Sequence, residues 1–211
     1  MPKYELAVFD FDGTLADTFP WFAGVLNQVA DRFGFSRIRE DEVEELRGAD
    51  SRAILRRLAI PMWKMPMIAA HMRALAAEQI EHVRLFDDAR AFLHGLHGAG
   101  VPIGVVSSNT AETIRRVLGA ETATLVAHFE CGASLFGKPS KLRKVLARTG
   151  AAPGRSIYVG DEVRDAEAAQ AAGMAFGAVS WGYNRVEALA AQSPQEIFAS
   201  FDDMLRKVAG R

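Results

Sequence analysis

The chain has 211 residues, with 25 Lys+Arg against 26 Asp+Glu and a formal charge of −1. At roughly 150 residues per domain this is about 1.4 domains, one core with a modest addition, and 49% hydrophobic with 24% charged residues is a soluble globular composition. Near-zero charge excludes a general nucleic-acid binder, and no apolar run approaches the roughly 18 residues that span a bilayer, so no membrane partner is expected. Met1 to Phe9 lacks the basic-then-apolar pattern of a secretory signal. The single cysteine, Cys131, forms no internal disulfide and reads as an inert, partly buried thiol. Both observations point to a cytoplasmic protein.

Taken along the chain, Glu5 to Phe9 is a short apolar run that stops on Asp10, the pattern of a buried strand feeding a loop. Residues 16 to 85 then read as helix throughout, over 19–33, 41–47, 50–58 and 61–83. Val101 to Val106 is a second strand, ending on Ser107, and Ser156 to Val159 a third, ending on Gly160 and Asp161. Weaker strands are expected over 128–132 and 174–180. Between them lie helical patterns over 87–97, 109–118, 140–149 and 164–172. Asn109 with Glu112 fits a capping box. Pro139 suits a first helical turn, and Gly150 and Gly173 suit helix stops.

This alternation predicts an α/β fold with a parallel, Rossmann-like sheet core covered on both faces. Residues 1–15 and 86–211 form that core. A crossover between parallel strands needs only about a dozen residues, so the helical stretch 16–85 is an insertion. It reads as an all-α cap over the carboxyl edge of the sheet, where ligands bind in such folds.

The three clearest strands end on Asp10, Ser107 and Asp161. Asp10 and Asp12 share one loop, and Asp165 lies one helical turn beyond Asp161. Carboxylates gathered in one small volume repel unless a cation joins them. Hard oxygen ligands in small number suit Mg²⁺. Ser107, Ser108 and the following backbone N–H groups offer anion-binding donors at a helix start. Lys138 adds a compact positive charge, and Gly13 allows close backbone approach. Donors, ammonium and metal around one nucleophilic carboxylate are what phosphoryl transfer requires.

Asp10-Phe-Asp-Gly-Thr14, Ser107, Lys138 before Pro139, and Gly160-Asp-Glu-Val-Arg-Asp165, in that order, resemble the four motifs of haloacid dehalogenase superfamily phosphatases. The helical insertion and Trp181-Gly-Tyr-Asn184 resemble the phosphoglycolate phosphatase branch. The resemblance implies that Asp10 attacks phosphorus and that Asp12 acts as general acid, then base. It implies that Ser107, Ser108 and Lys138 hold the phosphoryl oxygens. Asp10, Asp12 (through its carbonyl) and Asp161 would hold Mg²⁺, with Asp165 direct or through water and Glu162 the weaker candidate. The expected substrate is a small phosphate monoester such as 2-phosphoglycolate. The cap arginines Arg47 and Arg52 are candidates for substrate selection. Alternatives are a sugar phosphomutase of the β-phosphoglucomutase type and a non-hydrolytic binding protein on the same fold.

Overall fold

The computed structural model describes residues 2–49, 51–132 and 137–210, without the side chains of residues 40, 51 and 52. Strand β1 (Leu6–Phe9) leads through a tight turn to β2 (Ala16–Asp17). Helices α1 (Phe19–Phe33), α2 (Val43–Leu46), α3 (Ser51–Arg57) and α4 (Met65–Glu78) follow, and β3 (Arg84–Leu85) returns the chain. The next elements are α5 (Ala89–Gly98), β4 (Ile103–Val106), α6 (Ala111–Leu118), α7 (Ala120–Thr124) and β5 (Val126–Glu130). Then come α8 (Lys138–Thr149), β6 (Ser156–Gly160), α9 (Val163–Ala172) and β7 (Ala175–Val179). The described chain ends with α10 (Val186–Ala190), β8 (Glu196–Phe198) and α11 (Phe201–Ala209).

Six strands form a parallel sheet in the order β5-β4-β1-β6-β7-β8. β1 is central, and all four of its residues are fully buried. Successive side chains of a strand point to opposite faces. Ala7 and Phe9 accordingly join Phe92, Leu93, Ile103 and Ile157 in one core. Leu6 and Val8 join Leu142, Val145, Tyr158 and Ala169 in the other. The chain leaves β1 toward β4 and leaves β6 toward β7, in opposite directions along the sheet. Their carboxyl ends therefore flank a switch point, where an open α/β sheet presents a crevice.

Residues 16–17 and 84–85 pair antiparallel and form the two-stranded stem of the helical insertion. The insertion packs its own core from Val25, Val29, Ala30, Leu58, Ile68 and Leu75. The helix expected over 61–83 is divided: 3₁₀ turns at Met62–Lys64 and Ile80–His82 flank α4. Pro66 sits in the first turn of α4, where its missing N–H costs nothing. The cap of α6 is Thr110 rather than Asn109: Thr110 accepts from the Thr113 N–H at 3.1 Å, while the Asn109 amide is spent on Asp12. Pro139, Gly150 and Gly173 sit at the expected helix ends.

Two glycines test the packing by the same chemical change. A Cβ at Gly177 in β7 would meet the buried Phe198 ring at 2.5 Å, whereas one at Gly98, the last residue of α5, meets nothing within 4 Å. Gly177→Ala is expected to cost about 1–3 kcal/mol through overpacking. Gly98→Ala is expected to gain about 0.5–1 kcal/mol through helix propensity. Urea unfolding of the two variants reads both signs directly.

Candidate active site

Three strand ends and two helix starts build the site. β1 delivers Asp10, which is buried, and its Oδ1 accepts from the Phe11 N–H at 2.8 Å. The turn after it is tight, because the Phe11 carbonyl accepts from Leu15 and Ala16 N–H at 3.0 and 2.9 Å. Gly13 lies in that turn at φ +71°, and a Cβ there would overlap the Asp161 carboxylate. Only glycine combines that dihedral with that approach.

Asp161 follows β6 and is fully buried. It accepts from the Thr14 hydroxyl and the Tyr183 N–H, both at 2.8 Å. Asp165, in the first turn of α9, accepts from the Glu162 N–H at 3.1 Å and the Asp161 N–H at 3.2 Å. The Tyr158 hydroxyl donates to it from β6 at 3.1 Å. Carboxylate oxygens of Asp10, Asp161 and Asp165 thus lie within 4.8 Å of one another. Lys138, at the first residue of α8, donates to Asp10 Oδ2 at 2.6 Å and also to Asp165 Oδ1.

Ser107 closes β4 with a fully buried side chain whose Oγ accepts from the Asn109 N–H at 3.0 Å. Ser108 is half-buried beside it. The Asn109 amide donates to both oxygens of Asp12, at 3.0 and 2.8 Å. Lys141 is buried and donates to the Ser107 and Gly132 carbonyls at 2.8 and 2.7 Å. This second lysine, one turn along α8 from Lys138, is a support that the sequence signals only through their spacing.

The electrostatics follow from burial. Loss of water raises Asp10 to about 7, with Lys138 opposing the rise and Asp165 adding to it. Loss of water likewise raises Asp12 to about 6, against a lowering hydrogen bond from Thr18. Asp161 is pushed well above the ordinary carboxylate range by burial, then by Glu162 and Asp165. Burial pulls the Lys138 ammonium down, but Asp10 and Asp165 outweigh it and the net shift is upward. Three carboxylates thus face one buried ammonium. A divalent, oxygen-seeking cation fits this donor set, because it compensates buried carboxylates that one ammonium does not balance. Glu162 is outside the triad; its carboxylate pairs with Arg164.

The expected arginines have different fates. Arg47 donates to the Tyr183 carbonyl at 3.1 Å, the Gly182 carbonyl at 2.8 Å and Glu44 at 3.0 Å. Its guanidinium ties the insertion to the loop after β7. Asn184 reinforces that tie by donating to the Arg47 and Ala49 carbonyls, both at 3.0 Å. The Arg52 side chain lies outside the described residues.

A carboxyl whose pKa is raised on folding keeps a proton that the unfolded chain has released. Asp10 and Asp12 therefore weaken the metal-free fold as pH rises from about 4 through about 7, and the penalty is complete above that window. A bound cation competes with those protons. Mg²⁺ is expected to raise the melting temperature more at about pH 8 than at about pH 5. A Mg²⁺-dependent shift that is equal at both values contradicts this.

Comparison with known proteins adds four findings. A family model described as haloacid dehalogenase-like hydrolase matches residues 7–179. The phosphoglycolate phosphatase of Synechococcus elongatus is 31% identical over 205 residues, covering 97% of each chain. The tyrosine-protein kinase PtkA of Mycobacterium tuberculosis is 29% identical over 216 residues, covering 98% of this chain and 72% of that one. In fold, the crystal structure of a Lactobacillus plantarum protein superposes with a TM-score of 0.82 at 20% identity, over 97% of this chain and 99% of that one.

Proposed function

The chain belongs to the haloacid dehalogenase-like hydrolases and is a phosphoric monoester hydrolase of that family, and we propose that it works through a phosphorylated Asp10. The observation that carries this reading is the buried Asp10 carboxylate, clamped by Lys138 at the switch point, with Asp12 held beside it by Asn109. Asp10 attacks phosphorus and forms an acyl phosphate, while the P–O bond to the alcohol breaks. Asp12 gives its proton to the departing oxygen. The Asp12 carboxylate then takes a proton from water, which attacks the phosphorus and releases Asp10. A pKa near 6 suits both halves, because each protonation state is accessible near neutral pH.

Ser107, Ser108 and Lys138 hold the phosphoryl oxygens in this scheme, and Lys138 keeps Asp10 oriented. Asp10, the Asp12 carbonyl and Asp161 would hold Mg²⁺, with Asp165 direct or through water. Mg²⁺, when bound, neutralises charge on the transferring group. Residues 16–85 act as a cap that closes the crevice and excludes water until Asp10 is phosphorylated. The stem at 16–17 and 84–85 and the Arg47–Asn184 contacts support that assignment. Arg52 is the cap's cationic contribution to selection in this reading, while Arg47 holds the insertion to the loop after β7. The first substrate to test is 2-phosphoglycolate, given the Synechococcus relative. The half-buried Cys131 thiol, pushed up to about 11 chiefly by burial, is unreactive and suits a cytoplasmic setting.

Phosphate release from a panel of monoesters with MgCl₂ tests the scheme. Asp10→Asn is expected to abolish release while remaining folded, as its circular dichroism checks. Asp12→Asn is expected to lower turnover of alkyl esters by about 10²–10⁴-fold, the usual contribution of a general acid. With 4-nitrophenyl phosphate, whose leaving group needs no proton, the same variant gives one burst of nitrophenol and then stalls. Wild-type turnover by Asp10→Asn overturns the assignment.

A further inference from the structure

A cavity of about 660 Å³ lies between α1, α2, α3 and the loop after β7. That is the size of a small-molecule site, roughly 300–1,000 Å³. Its walls are mainly apolar, with Phe22, Leu26, Leu46 and Ile54 among them, and Asn27 and Arg47 also line it. Phe22 and Leu26 are only half-buried, although α1 seats its Val25 and Val29 in the insertion's own core. The cavity opens to solvent, and its apolar surface gains from an apolar occupant that displaces water.

The floor of the cavity is the wall of the acidic cluster. Tyr183 and Glu162 line it, and their N–H groups donate to Asp161 and Asp165. Arg164 lines it too. One nitrogen of its guanidinium pairs with Glu162, and its buried Nε has no hydrogen-bond partner in the described structure. The volume therefore has one polar end, at the backbone that holds Asp161 and Asp165, and a mainly apolar body. A two-carbon carboxylate such as glycolate would fill little of it, and a charge in the apolar body would lose its water without repayment.

We propose that this cavity seats an apolar leaving group, so that the preferred substrates are alkyl or aryl phosphate monoesters larger than 2-phosphoglycolate. The proposal rests on the phosphatase reading above. The phosphoryl group lies at Asp10, the ester oxygen at the polar end near Arg164, and the hydrocarbon among Phe22, Leu26, Leu46 and Ile54.

The test is the specificity constant for ethyl, butyl, hexyl and octyl phosphate with MgCl₂, against 2-phosphoglycolate. From ethyl to hexyl the expected gain is about fourfold per methylene removed from water. Ala23→Leu and Gly24→Leu narrow the cavity from α1. A Cβ at Gly24 meets nothing within 4 Å, so that variant is expected to fold even where the other does not. Each folded variant is expected to lower the hexyl-to-ethyl ratio at least about tenfold. A flat series, a preference for 2-phosphoglycolate, or an unchanged ratio in the folded variants overturns the proposal and leaves the phosphatase reading standing. Calorimetric binding of ethyl and hexyl phosphate to Asp10→Asn separates the two readings. Tighter binding of hexyl phosphate, with no ester hydrolysed by the wild type, supports the apolar occupant and overturns the phosphatase reading. Equal binding of the two overturns the apolar occupant.

Discussion

Lys138 lies between Asp10 and Asp165, and most of the site is arranged around that contact. Carboxylates removed from water are costly, and removing a partner from a buried ion pair costs about 3–5 kcal/mol. The fold meets the cost with fixed donors. Asp165 receives two backbone N–H groups and the Tyr158 hydroxyl besides Lys138. Asp10 receives Lys138 and the Phe11 N–H. Asp161 is met in the described structure by the neutral donors Thr14 and Tyr183. Asp161 is therefore the carboxylate whose ionised form is least compensated, the side of the cluster where a cation gains most. Close approach also requires bare backbone: a Cβ at Gly13 or Gly182 would overlap Asp161, and one at Gly160 would overlap Asp165.

The same few residues connect the cluster to the helical insertion. Tyr183 gives its N–H to Asp161 and shares a 2.8 Å hydrogen bond with Thr18, at the root of α1. Its ring lies 5.2 Å from Phe19 and 5.6 Å from Phe22. Asn184 accepts from the Val163 N–H at the start of α9 and donates to the insertion's carbonyls. One short loop thus touches the acidic cluster, the helix that carries Asp165 and the segment above them. Displacement of the insertion breaks hydrogen bonds that also orient the site, so position and chemistry are coupled through side chains of two adjacent residues.

How much of this is legible in the sequence depends on the range of the interaction. Asp10, Ser107 and Asp161 are legible because a buried parallel strand is a short apolar run, and a polar residue at its end has no structural motive. Lys138 is legible through its glycine and proline neighbours, which mark a helix start. Asn109 is ambiguous in one dimension: Ser107, Ser108, Asn109 and Thr110 are all good caps, and only the position of Asp12 decides which one is spent on it. β2 and β3 have two residues each, too few to show a period. α10, β8 and α11 follow the last patterned strand and lack a motif to anchor them. Arg47 reads as an anion receptor because its fork suits carboxylates, but the same fork suits two adjacent carbonyls. A void has no sequence signature, since it records where side chains fail to meet.

The site therefore divides its work by polarity. Formal charge and fixed dipoles are concentrated at the ends of β1, β4 and β6 and the first turns of α8 and α9, where backbone hydrogen bonds orient them. The insertion contributes mostly apolar surface, which binds through area and tolerates changes of shape. Excluding water with that surface strengthens every electrostatic contact beneath it. In the proposed reading, an apolar segment over a charged crevice serves two purposes with the same residues: it holds a hydrocarbon, and it lowers the dielectric around Lys138 and its carboxylates. The net charge of −1 conceals both, because it sums over the whole chain a conflict that exists only where Asp10, Asp161 and Asp165 converge.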